Sequence, residues 1–295
     1  MINYEAVKKW TFDDVRYQYT ERDTMLYALA VGFGTDPLNA GELRYTFEEN
    51  LQSVPTMAAI VGAPGTWWAD PRIGADIRGL VHGEQRMRWL HSLPTSGALV
   101  ARNRVQSLTD KGVGKGAIGV VARDVLEASS GQILVQGINV SVLRRDGGFS
   151  RESGISDPPL TGLAPVPERA PDLEVELPSL PQSALIYRLT GDRNPLHADP
   201  RVAAQAGFQR PILHGLCTYG MACHAVLRTV LGYDAAPLRA LAVRFTAPVF
   251  PGDTVRFELW RESDGHTFRL RARVAARGVV VLDNGVVEIG QPGHG

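Results

Sequence analysis

The sequence lacks the features that place a chain in a membrane, in the secretory pathway or on nucleic acid. Its longest apolar stretch, Met25 to Phe33, is too short to cross a bilayer and is expected to be a core helix. The N-terminal residues contain no apolar run of the kind found in a signal peptide. Lys plus Arg and Asp plus Glu are equal at 31 each, so there is no positive excess for binding a polyanion. We therefore expect no membrane span and no nucleic-acid partner.

Cysteine is also scarce. The chain has two, Cys217 and Cys223, inside a stretch predicted to be a helix, where they are expected to be small buried residues. A zinc site that combines them with His214 and His224 is conceivable, but the four residues lack the close CxxC spacing typical of structural zinc. We expect no disulfide, no bound metal and a cytoplasmic location.

The remaining composition fits two globular domains joined by a proline-rich segment. A length of 295 residues suits two domains of about 150 residues each. Seven prolines lie between Ser156 and Ser183, which is typical of an extended linker. The predicted boundaries are an N-terminal domain over residues 1–155, a linker over residues 156–182 and a C-terminal domain over residues 183–295.

The two predicted domains contain weakly similar segments in the same order. The matching pairs are Leu26 to Ala30 with Ile186 to Thr190, Asp36 to Leu38 with Asn194 to Leu196, and Trp89 to Val100 with Phe245 to Val255. This repetition predicts two copies of one fold. The first copy has Asn39 where the second has His197, and it has Gly34 and Thr35 where the second has an acid, so it is expected to be catalytically silent.

The second copy is predicted to contain one long helix followed by an antiparallel meander. Leu216 to Leu231 has no proline and is largely apolar, which favours a mostly buried helix of about four turns. The stretch Ala184 to Leu189 before it is expected to be β-like. Alternating patterns separated by turn residues predict four strands, over Ala240 to Pro248, Thr254 to Glu262, Thr267 to Ala275 and Val279 to Ile289.

A cluster of polar residues lies in the loop that precedes this helix. Gly191 and Asn194-Pro195 interrupt regular structure, so Asp192, Asn194 and His197 are expected on a loop, where binding and catalytic residues are common. A carboxylate and an imidazole five residues apart can hold one water between them. Gly215 begins the helix, and its unpaired backbone N–H at the positive end of the helix dipole suits a developing oxyanion.

The segment GDRNPLH followed by GFQRPILHGLCTYG resembles the hydratase 2 motif of the MaoC-like (R)-specific enoyl-CoA hydratases, which is also present in the hydratase part of peroxisomal multifunctional enzyme type 2. The resemblance implies an α+β double hot-dog fold, in which two antiparallel sheets each wrap around a long central helix and form an internal pseudo-dimer. The degenerate N-terminal half would then house the acyl chain.

The resemblance also implies the reaction and its residues. Water would add to the same face of a trans-2-enoyl-CoA with a medium to long or bulky acyl chain, giving (3R)-3-hydroxyacyl-CoA in a reversible step of fatty acid metabolism such as β-oxidation. Asp192 and His197 would hold the water, Asn194 would orient it, and the Gly215 amide would bind the thioester oxygen. The acyl-CoA would contact a further set of residues, namely His82, Gly83, Lys111, Phe245 and Arg210. No cofactor is implied beyond the CoA of the substrate, and a homodimer is compatible with the family.

Other interpretations remain open at this point. A dehydratase acting on acyl carrier protein would use the same Asp and His in the reverse direction, and a non-catalytic acyl-thioester binding module would have the same fold. A thioesterase is disfavoured, because thioesterases with the hot-dog fold usually have a carboxylate on the central helix and Leu216 to Leu231 contains no Asp or Glu. Asp192 and Asn194 are also ordinary turn residues, and His214 and His224 are expected to support the helix rather than to catalyse.

Overall fold

The structure is a computed structural model that describes residues 2–290. The first half contains α1 (Tyr4–Lys8), β1 (Val15–Tyr19), α2 (Glu21–Ala30), α3 (Ala40–Thr46), β2 (Leu80–Trp89), β3 (Gly97–Asp110), β4 (Ala117–Glu127) and β5 (Ile133–Leu143). The second half contains β6 (Leu173–Pro178), α4 (Ser183–Tyr187), α5 (Pro200–Gln205), α6 (Gly215–Thr229), β7 (Leu238–Phe245), β8 (Thr254–Arg261), β9 (Thr267–Val274) and β10 (Val279–Ile289). None of the helices within residues 2–290 is long and apolar enough to span a membrane.

The ten strands form one antiparallel sheet with internal two-fold symmetry. Their order is β1-β3-β4-β5-β2-β7-β10-β9-β8-β6, so each half repeats the same strand sequence outward from the centre. The two inner strands pair antiparallel, and Arg86 opposite Ala242 is the middle pair of that ladder. Each half therefore has the hot-dog topology, and the two join side by side. The predicted α+β class, the four strands of the meander and the internal pseudo-dimer are confirmed, and the two expected sheets are joined into one through β2 and β7.

The helices pack against the inner face of the sheet, but the two halves differ there. In the second half, α6 begins at Gly215 as expected, and all of its residues from Cys217 to Leu227 are buried. At the corresponding place in the first half, between α3 and β2, the chain forms a five-residue 3-10 helix, Pro55–Ala59. The expected long central helix is therefore present in the second half alone, within the residues that the structure describes.

Two local expectations need correction. The predicted linker over residues 156–182 contains a strand, since β6 pairs with β8 at the edge of the sheet. The β-like assignment of Ala184 to Leu189 is wrong, because this stretch forms α4 and a following 3-10 turn. The reason is its periodicity: positions 183, 184, 187 and 190 are buried whereas 185 and 189 are exposed, which is the spacing of a helix.

The part of the linker before β6 crosses the outer face of the sheet. The side chain of Arg86 on β2 donates a hydrogen bond to the carbonyl of Thr161. Further along, Arg269 on β9 donates to the carbonyls of Ala164 and Pro165. The linker is therefore attached to strands of both halves.

Candidate active site

The loop after Gly191 is shaped by the same polar residues that the sequence singled out. The carboxylate of Asp192 accepts a hydrogen bond from the backbone N–H of Asn194 at 3.1 Å. The side-chain oxygen of Asn194 accepts one from the N–H of Leu196 at 3.0 Å, and in this way it caps the short 3-10 helix Pro195–His197. Both residues therefore act as turn formers, as their alternative interpretation predicts. Asn194 is exposed, so its remaining amide N–H groups are available to a ligand.

His197 is held in one orientation and one tautomer. The side chain is buried, and its Nδ1 lies 2.8 Å from the backbone carbonyl of Ile212. Because a carbonyl can only accept, Nδ1 carries the hydrogen and Nε2 presents a lone pair. Burial lowers the pKa of His197 below its ordinary value, although the Ile212 carbonyl and the Asp192 charge act in the opposite direction.

The fold brings three titratable side chains to one point. One ligand atom each of Asp192, His197 and His214 lie within 4.8 Å of one another. A water that makes two hydrogen bonds of about 2.8 Å bridges atoms roughly 4.5 Å apart. Asp192 and His197 are thus close enough to hold one water between them.

Gly215 offers a backbone donor beside this cluster. It is the first residue of α6, and no capping side chain occupies that end of the helix. Its N–H donates no hydrogen bond within residues 2–290. A Cβ at Gly215 would lie 3.3 Å from Cε1 of Phe245, so the aromatic ring from the end of β7 closes one side of the site.

His82 comes from the other half of the chain and lies against the same aromatic ring. The centroids of the His82 and Phe245 rings are 4.7 Å apart. Burial lowers the pKa of His82 to about 4, and the charge of Asp192 is among the groups that oppose this lowering. The start of β2 in the first half thus completes the site of the second half.

Three of the five predicted substrate-binding residues line one cavity. Gly83, Lys111 and Phe245 border a space of about 360 Å³ whose rim includes linker residues 159, 160 and 162. Gly83 has no room for a side chain, since a Cβ there would be 2.7 Å from Val142 Cγ2. Lys111 is exposed in the hairpin between β3 and β4.

An ion-pair cluster around the buried Glu84 lies at this cavity and was missed from the sequence. The carboxylate of Glu84 bonds Arg86 on its own strand and Arg244 on β7, with the Arg244 Nη2 to Oε1 distance at 2.8 Å. All three residues line the cavity. The i, i+2 spacing of Glu84 and Arg86 is visible in the sequence, but their partnership with Arg244 depends on the pairing of β2 with β7.

Arg210, the fifth predicted binding residue, borders neither this cavity nor the Asp192 cluster. Its guanidinium lies 4.9 Å from the centroid of the Phe250 ring, and Arg277 lies at the same distance from that ring. The structure therefore groups Arg210 with Phe250 and not with the other predicted contacts.

The corresponding region of the first half lacks all three candidate catalytic groups. By the sequence repeat, Gly34 stands for Asp192 and Asn39 for His197. Pro55 corresponds to Gly215, because each is the first residue of its helix and follows an extended residue. Proline has no N–H to donate. The first half therefore has no acid, no imidazole and no amide at these places.

In the first half, the loop at Gly34 and Thr35 is held by Glu42, which is 1% exposed. One carboxylate oxygen accepts from the N–H groups of Gly34 and Thr35, at 2.7 and 3.1 Å. The other accepts from the Tyr233 hydroxyl at 3.1 Å. Burial raises the pKa of Glu42, but contacts with His224 and these donors outweigh it and lower the pKa to about 2.

The sequence alternative of a zinc site built on both cysteines does not form. Cys217 and Cys223 are buried on α6, and His224 stacks on Phe33 with ring centroids 3.8 Å apart. Within residues 2–290, the histidines, cysteines and acids close enough to share a metal are those of the Asp192 cluster.

Comparison with protein families divides the chain in the same way as the fold. Residues 17–145 match the model described as the MFE-2 hydratase 2 N-terminal domain, and residues 163–282 match the MaoC like domain. The second match begins within the predicted linker, before β6.

Curated proteins and solved structures resemble the whole chain. The 3-hydroxyacyl-thioester dehydratase Y of Mycobacterium tuberculosis is 41% identical over 92% of this chain and 93% of its own length. Enoyl-CoA hydratase ChsH3 of the same organism is 39% identical, with 92% of each chain covered. The crystal structure of a MaoC-like dehydratase from Phytophthora capsici superposes with a TM-score of 0.85, is 28% identical and covers 99% of this chain and 100% of its own.

Proposed function

Since the chain belongs to the MaoC-like hydratase 2 family and is a hydro-lyase, we propose that it adds water to trans-2-enoyl-CoA and yields the (3R)-3-hydroxyacyl-CoA. The observation that carries the proposal is the cluster of Asp192, His197 and His214, with the Gly215 amide next to His214 at the start of α6. An acid, a base and an oxyanion donor are what hydration of an activated double bond requires.

The reaction would combine polarisation of the thioester carbonyl with addition of water across C2 and C3. The thioester oxygen accepts a hydrogen bond from the Gly215 N–H, so the negative charge that develops as C3 is attacked meets a fixed dipole. A water held by Asp192 and His197 gives up a proton to this pair as its oxygen bonds to C3. The pair then returns a proton to C2, and both groups end in their starting protonation states.

The state of His197 suits this chemistry. Its Nδ1 hydrogen is fixed on the Ile212 carbonyl, so Nε2 has a lone pair that can accept a hydrogen bond from the water. Its pKa is lowered by burial, so the ring is neutral at physiological pH. Either His197 or Asp192 can take the first proton, because both assignments use the same geometry. Because one water and one pair of groups supply both the hydroxyl and the proton, addition to a single face of the double bond is proposed. The (3R) configuration is proposed from the resemblance to the (R)-specific hydratases.

The acyl carrier is proposed to be CoA. The cavity bordered by Gly83 and Phe245 also contains Lys111 and Arg244, whose positive charges suit the phosphates of CoA. The alternative is a dehydratase for a different 3-hydroxyacyl thioester, which the name of the Mycobacterium tuberculosis relative at 41% identity favours. A medium to long or bulky acyl chain, housed by the degenerate first half, is part of the proposal, as is a cytoplasmic location.

The test is loss of the enoyl-thioester absorption band after trans-2-decenoyl-CoA is added to the wild type and to Asp192→Asn. We expect rapid loss of the band with wild type and a rate lower by about 10²- to 10⁴-fold in the variant. Chiral analysis should identify the (3R) product. Asp199→Asn is the matched control, because Asp199 lies in the same segment but caps α5, and Asn is an equally good cap.

Two results would contradict the proposal. Release of free CoA would indicate a thioesterase, and an unchanged band in the wild type would exclude hydration of this substrate. Band loss with an acyl-carrier-protein thioester and none with the CoA thioester would favour the alternative carrier.

A further inference from the structure

His214 is buried where the loop that carries Asp192 meets the start of α6. It is the N-cap residue of α6, yet its side chain makes no capping hydrogen bond. Instead, its Nε2 lies 3.1 Å from the backbone carbonyl of Asp192. Because this carbonyl can only accept, Nε2 carries the hydrogen. The contact ties the backbone of Asp192 to the helix that presents the Gly215 amide.

The ring of His214 also lies almost flat against His197. The two ring centroids are 3.7 Å apart and the planes differ by 28°. Tyr187 packs near His214 as well, with centroids 4.8 Å apart. His197 is therefore fixed twice: at Nδ1 by the Ile212 carbonyl and across one ring face by His214. These constraints determine the direction of its Nε2 lone pair.

We propose that His214 is a positioning residue for the hydration reaction: it sets the Asp192 backbone and the His197 ring so that both reach one water, and it keeps bulk water off one face of His197. The inference rests on the proposed function. His214 itself is not expected to exchange protons with the substrate.

The protonation state of His214 is compatible with this role. Burial lowers the pKa of His214 to about 4, and the neighbouring His197 acts in the same direction. The ring is therefore neutral at physiological pH and keeps its hydrogen on Nε2. Its Nδ1 is buried and has no hydrogen-bond partner among the described residues.

Two substitutions separate the two contacts of His214. His214→Phe keeps a flat ring against His197 but loses the N–H donor. His214→Gln keeps an N–H donor within reach of the Asp192 carbonyl but loses the ring. Because displacement of a reacting group by about 1 Å can cost roughly 100-fold in rate, we expect kcat to fall about 10- to 100-fold in each variant. KM for the enoyl-CoA should stay within about threefold, since His214 is not proposed to contact the CoA.

The Gln variant should also move the pH profile. Removal of the ring exposes one face of His197 to water, so the pKa of His197 should rise toward its ordinary value. The limb of the profile that belongs to His197 then shifts to higher pH, whether His197 acts as base or as acid. A residue with a purely structural role would lower the melting temperature and leave this limb where it is in wild type.

The matched control is His224→Phe. His224 is also buried on α6 and stacked on an aromatic ring, but it lies beside Glu42. This variant should be less stable than wild type and keep the wild-type pH profile. Wild-type kcat and an unmoved pH limb in both His214 variants would overturn the inference.

NMR titration of the His197 ring separates this inference from the proposed function, because it needs no turnover. A higher pKa for His197 in His214→Gln than in wild type supports the inference even if decenoyl-CoA is not hydrated. An identical pKa in the two proteins would refute it.

Discussion

Removal of a single backbone hydrogen should disable the enzyme if Gly215 binds the thioester oxygen. Gly215→Pro removes it, because proline lacks the N–H and is well tolerated at the first position of a helix, although the proline Cδ also takes the place of the hydrogen. The preceding residue, His214, has φ −59° and ψ 135°, the extended conformation that proline requires before it. The first half already contains this arrangement, since Pro55 follows Val54 at φ −64° and ψ 122°.

The expected magnitude follows from the loss of one oxyanion donor. Such a loss typically costs about 100- to 1,000-fold in kcat, or roughly 2.7–4 kcal/mol of transition-state stabilisation. The helix itself should be little affected, because the first N–H of a helix has no partner within it. We therefore expect kcat for trans-2-decenoyl-CoA to fall by this factor while the melting temperature stays within a few degrees of wild type.

Gly215→Ala is the control for volume. It keeps the N–H and adds only a Cβ, which would lie 3.3 Å from the Phe245 ring, so the ring must move by a few tenths of an ångström. A modest loss of rate, below about tenfold, is expected. If Gly215→Pro retains kcat within threefold of wild type, or if the alanine variant is equally impaired, the Gly215 amide is not the oxyanion donor.

Three further predictions test the role of Glu42 in the first half, the packing of α6 and the substrate carrier. Glu42→Gln should destabilise the fold at pH 7 by about 3 kcal/mol, because the pKa of Glu42 is lowered from 4.5 to about 2 and each pH unit is worth about 1.36 kcal/mol. A carboxylate whose pKa is lowered by folding stabilises the folded state at pH values above its unfolded pKa, and this contribution is lost as the pH falls to the folded pKa. The difference in unfolding free energy between variant and wild type, measured with urea, should therefore shrink between about pH 4.5 and 2. A gap independent of pH, or a similar loss in the exposed control Glu49→Gln, would contradict this. Gly220→Ala should lower the melting temperature, because the new Cβ would be 2.4 Å from Val31 Cγ1 and overpacking costs about 1–3 kcal/mol. This cost is expected to exceed the gain of about 1 kcal/mol from the higher helix propensity of alanine. A gain in stability would show that Val31 can move freely. Lys111→Ala should raise KM for an enoyl-CoA, most strongly at low salt, where the attraction between Lys111 and the CoA phosphates is least screened. The rate with an enoyl N-acetylcysteamine thioester, which has no phosphates, should be unchanged. Equal effects on both thioesters would rule out a role for Lys111 in binding the CoA phosphates.

Much of the candidate site could be predicted because it is local in the sequence. Asp192, Asn194 and His197 lie on one turn whose shape follows from Gly191 and the Asn-Pro dipeptide. Gly215 could be placed at a helix start because a long apolar stretch without proline follows it. The meander after α6 was predictable for the same reason, since alternation and turn residues encode strands within short windows.

Other parts depend on contacts between distant residues. Ala184 to Leu189 is apolar enough for either a strand or a helix, and only the tertiary packing shows that 184 and 187 are buried and 185 and 189 exposed, which is the spacing of a helix. The shortened 3-10 helix at Pro55 could not be foreseen from the repeat, because the matching segments lie on either side of it. Arg210 was grouped with the substrate contacts on charge alone, whereas the fold directs it to Phe250.

By itself, the sequence determined the duplicated architecture, the strands of the second half, and a loop and helix start that carry an acid, an imidazole and a free amide. The strands, the loop and the helix start depend on backbone preferences and spacing within about 30 residues, whereas the duplication was visible as similarity between the two halves. The tertiary structure alone decided that Glu84 joins Arg244 across the central strands and that His214 lies flat on His197. It also placed His82, which the family resemblance had named, against Phe245. Such contacts depend on the register of β2 against β7 and on the packing of α6, and no local pattern encodes which distant side chains these will bring together.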